Sequence, residues 1–124
     1  MNAYQPEQQL LDLRWGTMMP IMAMVSSNLV QLRARGKFSA TIVDPAKLAV
    51  EIPDPNNLSP HLNSLIVVAI TDMLLESSQS ASDVGQLTTL TDRTRQTFRT
   101  ALESKFKPIG LQLKNVSIEA IESL

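Results

Sequence analysis

From residue 29 to residue 43 apolar and polar side chains alternate almost without a break, and this leaves the stretch few ways to fold. The even positions are Val30, Leu32, Ala34, Gly36, Phe38, Ala40 and Ile42; the odd ones include Gln31, Arg33, Arg35, Lys37, Ser39 and Thr41. Successive side chains of an extended chain point to opposite faces, so a period of two puts all the apolar groups on one face. The spacing therefore predicts a long, half-buried strand with three cations on its outer face. Gly36, small in a row of larger side chains, marks a bulge or bend.

Two shorter strands are predicted before it. Leu11, Leu13 and Trp15 alternate with Asp12 and Arg14 ahead of a turn at Gly16, and residues 21–25 give a third strand. After the long strand, Asp44 is placed to cap a short helix over 47–52 with Pro45 at its start, and Pro53-Asp54-Pro55-Asn56-Asn57 then breaks it. Ser59 as N-cap and Pro60 at the first helical position open the clearest helix. Its stripe is Leu62, Leu65, Ile66, Ala69, Ile70, Met73 and Leu74, and that spacing outweighs the β-branched pair Val67 and Val68. The small polar run 77–83 reads as a flexible loop.

A second helix is predicted from about Thr91, with Asp92 in its first turn and Lys105 and Lys107 in its last, matching the helix dipole. Leu90, Phe98, Ala101, Leu102 and Phe106 supply its buried side, and Pro108 and Gly110 stop it. Residues 111–121 form a last strand whose apolar positions shift from odd (Leu111, Leu113) to even (Val116, Ile118, Ala120), which a bulge near Asn115 reconciles. Strands, then helices, then a strand favour an α+β domain over a doubly wound one. No internal repeat is visible. The whole chain, 1–124, is expected to form a single domain with residues 1–8 flexible.

Composition narrows the function classes. The chain has 124 residues, 44% hydrophobic and 19% charged, enough for one core without a metal or disulfide. It has no cysteine, so disulfides, thiolate catalysis and zinc ribbons are excluded within it. A net charge of −1 gives no global field for nucleic acid, so recruitment to an anionic partner would have to use a local patch. The first residues, Met1-Asn2-Ala3-Tyr4-Gln5-Pro6, lack the basic and apolar regions of a signal peptide, and no apolar run reaches the roughly 18 to 20 residues of a membrane span. The expectation is a segment soluble by itself. Any membrane attachment would come from outside it, from a partner, or from weak peripheral contacts.

Arg33, Arg35 and Lys37 are the candidate surface-contact residues, facing lipid headgroups, an acidic protein surface or nucleic acid; the plainer reading is a solvated strand face, favoured because no aromatic residue stands among them. Met18, Met19, Met22 and Met24 form a dense cluster. Thioethers bind Cu(I), but no His or Cys lies near in sequence, so packing in the core or at an interface is the favoured reading. Trp15, between alternating leucines, is read as buried. His61 is the only histidine, without a nucleophile or a ligand spacing, and is assigned a surface or capping role. Asp72, Glu76, Glu103, Glu119 and Glu122 show no spacing that singles out an acid and a base, and are read as solvated. No catalytic residue, cofactor or metal site is expected.

Three elements carry a family resemblance: Trp15-Gly16-Thr17-Met18-Met19-Pro20-Ile21, then Gln31-Leu32-Arg33-Ala34-Arg35-Gly36-Lys37-Phe38-Ser39, then Asp44-Pro45. In these the chain resembles the SPFH or band 7 domain of stomatins, prohibitins and flotillins, and is most similar to a bacterial subgroup labelled virion core protein-like. Gly110-Leu111-Gln112-Leu113 through Ser117-Ile118-Glu119-Ala120-Ile121 is similar to the family's closing helix-to-strand passage, so the likeness runs from about Leu10 to Ile121. Residues 23–28 lack the acidic turn expected ahead of the long strand. Members of the subgroup also have a preceding segment with the first strands and a following helical or zinc-ribbon region, so the resemblance implies an excised core.

The resemblance implies an antiparallel-rich sheet with helices packed on one side. It also implies a non-enzymatic, membrane-associated scaffold that forms homo-oligomers and organises other proteins in membrane microdomains. In the bacterial subgroup, the role implied is recruitment of envelope-stress proteins to the membrane. The implied location is cytoplasmic and peripheral to the membrane, contacted through flanking segments or partners, with no nucleic acid and no small-molecule substrate. The competing readings are a soluble protein-interaction module without a membrane role, which would form 1:1 complexes, and a small-molecule enzyme, which would need a pocket of convergent polar groups.

Overall fold

The computed structural model describes residues 4–124. Four strands, β1 (Gln9–Gly16), β2 (Ile21–Val25), β3 (Asn28–Ile42) and β4 (Leu111–Ser123), form one antiparallel sheet with β3 at its centre. β4 lies along β3 from Leu32 to Ile42. β1 and β2 share the other edge, β1 opposite the later half of β3 and β2 opposite Asn28 to Leu32. The hydrogen bonds fix this: Ala34 exchanges bonds with Thr17 on the β1 side, while the odd-numbered Gln31 accepts from Leu124 just beyond β4. Between β1 and β2, Thr17 still donates its N–H to Ala34 O at 3.0 Å. The chain then carries two residues more than β3 opposes, and Met18 and Met19 are pushed out into solvent.

The helices are α1 (Pro45–Glu51), α2 (Leu58–Ser78), α3 (Gly85–Thr88) and α4 (Asp92–Phe106), with 3₁₀ turns at Pro55–Asn57 and Lys107–Ile109. They pack on one face of the sheet, and the domain is α+β as the order of elements predicts. Asp44 caps α1 by accepting from Lys47 N at 3.2 Å, and Thr91 caps α4 by accepting from Thr94 N at 3.1 Å. α4 lays Phe98 against Trp15 (ring centroids 5.3 Å) and Phe106 edge-on to Phe38 (5.8 Å), so two aromatic pairs join helix to sheet. Leu62, Ile66, Ile70 and Leu74 of α2 are fully buried beside them. Pro55–Ser78 is long and apolar enough to cross a membrane by length and composition; here that apolar stripe is part of the domain core.

Gly36 does not itself bulge. It pairs with Trp15 on β1 and Ile118 on β4, and the extra residue is Glu119 on the neighbouring strand. The glycine instead makes room: a Cβ there would collide with Ser117 O and stand 2.7 Å from Trp15 Nε1. Its absence lets the indole cross β3 and donate to Ser117 O at 3.1 Å. The face shift in β4 is resolved by two bulges, at Lys114, one residue from the predicted site, and at Glu119. The second returns Ile121 to the core and turns Ala120 outward, opposite Arg35.

Other expectations need correction. Leu11 was placed on the same face as Leu13 and Trp15, but a bulge between Leu10 and Leu13 turns Leu10 inward and leaves Leu11 exposed. The bulge puts Asp12 at φ 51, with its N–H donating to Ser39 Oγ at 2.9 Å. α2 starts one residue before Ser59, after Asn57 and without a side-chain cap, because the 3₁₀ turn runs straight into it. It continues through Ser77 and Ser78, shortening the predicted loop, and α3 was not foreseen. The hairpin between β2 and β3 closes without an acidic turn, through Ser26 and Ser27 at φ 49 and φ 70, the left-handed pair of a type I′ turn.

Of the stretch expected to be flexible, residues 1–3 lie outside those described. From Tyr4 onward the chain is held: Tyr4 is buried and donates its hydroxyl to Ile52 O at 2.8 Å, and Glu7 N donates to Ile42 O at 2.8 Å.

Candidate functional site

With the helices all on one side, the other face of the sheet is open along residues 29–37 of β3; beyond Lys37 it closes, and Ser39 and Thr41 are buried. Register determines what stands on it, because directly opposed residues of antiparallel strands share a face. Arg33 faces Glu122, Arg35 lies between Gly16 and Ala120, and Lys37 lies between Arg14 and Ser117. The three residues read from the sequence are thus gathered on this face, Arg33 and Arg35 exposed and Lys37 half-buried. The alternation of β1 adds Arg14 as a fourth cation.

Arg35 Nη1 bonds Glu122 Oε1 at 2.9 Å. Both side chains are about half exposed, so the pair adds little to stability. Among the described residues Arg14, Arg33 and Lys37 have no carboxylate partner, and Arg14 stands directly across from Lys37, a like-charge pairing that disfavours the sheet. Towards the β2–β3 hairpin the same face turns apolar. Met22 lies opposite Gln31 and Met24 opposite Leu29, with Met24 54% and Leu29 60% exposed. Met18 and Met19 project beside them from the β1–β2 connection.

The methionine cluster is therefore surface rather than core, while Trp15 is buried as read. The signal that would have placed the methionines is the alternation in β2, where Ile21, Ala23 and Val25 are buried and Met22 and Met24 are not. Asn63 of α2 holds the end of β1, accepting from Gly16 N at 2.9 Å and donating to Gly16 O at 3.2 Å. On the opposite edge α4 reaches both bulges of β4: Arg99 donates to Lys114 O at 3.0 Å and Arg95 to Ile118 O at 3.3 Å.

The remaining titratable groups do not converge. His61 Nε2 stands 3.2 Å from Glu51 Oε1, with no nucleophile beside it. Burial, and then the charge of Asp54, raise the Tyr4 phenol above its ordinary 10.0. The clefts are open rather than enclosed. One of about 580 Å³ lies between α2 and α4 and is lined by Glu76, Gln86, Arg93 and Thr97; another of about 490 Å³ lies along α4 and β4 beside Val43, Arg99 and Leu113. No group of three His, Asp or Glu side chains is placed to hold a metal ion among the described residues.

The family model described as SPFH domain-Band 7 family matches residues 4–124. No curated protein matches the chain.

Proposed function

The chain belongs to the SPFH domain-Band 7 family, and from that premise we propose that it is a non-enzymatic scaffold that associates with itself, works at the membrane and organises other proteins there. Members of this family are generally membrane-associated scaffolds. The observation that carries the reading to this chain is the open sheet face, where exposed Met22, Met24 and Leu29 adjoin three cations without carboxylate partners among the described residues. Such a mixed apolar and basic surface suits docking rather than chemistry. Its location would be cytoplasmic and peripheral to the membrane. The Trp15-Gly16-Thr17 and Arg33-Ala34-Arg35-Gly36 elements favour the bacterial virion core protein-like subgroup, with recruitment of envelope-stress proteins to the membrane as its role.

The test has two readouts. Solution mass by light scattering over a wide concentration range is expected to show a closed or growing assembly. Flotation with vesicles containing phosphatidylserine is expected to recover the protein at low salt, and the Arg33→Glu, Arg35→Glu double variant is expected to lose assembly. A strict monomer that ignores vesicles would instead make the chain a soluble interaction module. Assembly and flotation that both survive the double substitution would remove the cationic face from the working surface.

A further inference from the structure

The outer sheet face has a counterpart on the far side of the same domain. Along α2 the exposed positions Ser64, Val68, Asp72, Leu75 and Glu76 follow steps of three and four, so they form one stripe facing away from the core. Val68 is 47% and Leu75 39% exposed, and α2 bears no lysine or arginine. Among the described residues neither Asp72 nor Glu76 has a cationic partner. This stripe is apolar and acidic where the sheet face is apolar and basic. The stripe from Ser64 to Glu76 is about 18 Å long, so it covers part of the row from Leu29 to Lys37 on β3, which spans about 27 Å.

We infer that the occupant of the bare sheet face is a second copy of this chain, which lays the outward stripe of its α2 across it. The inference rests on the scaffold reading and names its assembly surface. Asp72 and Glu76 supply the carboxylates that Arg33, Lys37 and Arg14 lack, and Val68 and Leu75 cover the methionines and Leu29. An anionic bilayer would also suit the sheet face, but it leaves the acidic stripe without a role; a second copy accounts for both. The two surfaces differ and lie on opposite sides of the domain, so the contact is head-to-tail. Repeated, it builds a ring or an open filament rather than a two-fold dimer.

Two double variants test this on the full chain by sedimentation velocity at low salt. Arg33→Glu with Lys37→Glu spoils the sheet face alone, and Asp72→Lys with Glu76→Lys spoils the helix stripe alone; all four positions are at the surface. Each variant by itself is expected to run as a monomer, with association weakened at least about tenfold, the value of one well-placed charge contact. Mixed in equal amounts they are expected to regain the larger species, because the intact stripe of one fits the intact face of the other and the two reversed surfaces are complementary to each other. All four substitutions in one chain are expected to restore the larger species.

Association that persists in either variant, or a mixture that stays monomeric, overturns the inference while leaving the scaffold reading intact. So does a result in which only the sheet variant matters and what it loses is binding to phosphatidylserine vesicles, which would assign that face to a bilayer. A wild-type chain that is monomeric at every concentration overturns the inference together with intrinsic self-assembly.

Discussion

On the covered side of the sheet, Trp15 meets Phe98, Phe38 meets Phe106, and Leu32, Ile42 and Leu111 are sealed from water. On the bare side, carried by the same strands, Arg14 stands across from Lys37, and Met24 lies beside Leu29 in solvent. The chemistry of each side follows from one alternation, yet the two serve different ends. Burial of aromatic and aliphatic area supplies the stability. The outer face keeps unpaired cations and exposed thioethers that add little to folding, so its composition is free to suit a partner.

That contrast can be broken from the covered side first. Phe98→Ala removes a fully buried ring that packs on Trp15 and is expected to cost about 4 kcal/mol, read as a drop in the urea midpoint at unchanged slope. Gly36→Ala should cost about 3 kcal/mol, since its Cβ drives into Ser117 O and dislodges the indole from its bond across the sheet. The accompanying readout is a red shift of Trp15 fluorescence in whatever folded fraction remains. A substitution at Gly36 without effect would mean that the close approach of β1, β3 and β4 is not what holds the Trp15 element.

A smaller effect is expected at the junction of the amino-terminal segment with α1. Tyr4→Phe deletes the hydrogen bond to Ile52 O and should cost about 1 kcal/mol near neutral pH. The fold raises the phenol's pKa, so it favours the protonated form. This contribution is fully present below the ordinary value of 10.0 and is lost as pH rises through the raised one. Wild-type stability should therefore decline from about pH 10 upward more steeply than that of Tyr4→Phe, and parallel profiles would remove Tyr4 as the cause. The smallest change is expected on the bare face. Met24→Thr should leave the unfolding free energy within about 0.5 kcal/mol of wild type while altering association, and a large loss of stability would show that this side chain belongs to the fold after all.

Much of the architecture was legible because each element has a local signature. The period of two in β3, the cap residues Asp44 and Thr91, and the apolar stripe of α2 all act within a few residues of chain, so their physics can be read without knowing what lies across from them. The bulges were harder. Leu11 alternates correctly with Leu13 on paper and still faces solvent, because the extra residue at Asp12 answers to β3 rather than to its own neighbours. The candidate site divides in the same way: Arg33, Arg35 and Lys37 follow from alternation alone, whereas Arg14 joins them only through cross-strand register.

By itself the sequence determined the four strands and three of the four helices, the cationic row, the apolar face beneath it, and through the Trp15 and Gly36 elements the likeness to a family. Tertiary structure decided three further things: that Gly36 is small so that Trp15 can reach Ser117, that the methionines lie outside, and that an acidic stripe on α2 backs a basic sheet. Local signals arise from bonded geometry and near-neighbour contacts, which the chain carries wherever it goes. Which face is covered depends on contacts between residues as far apart as Trp15 and Ser117, and these exist only once the chain has folded.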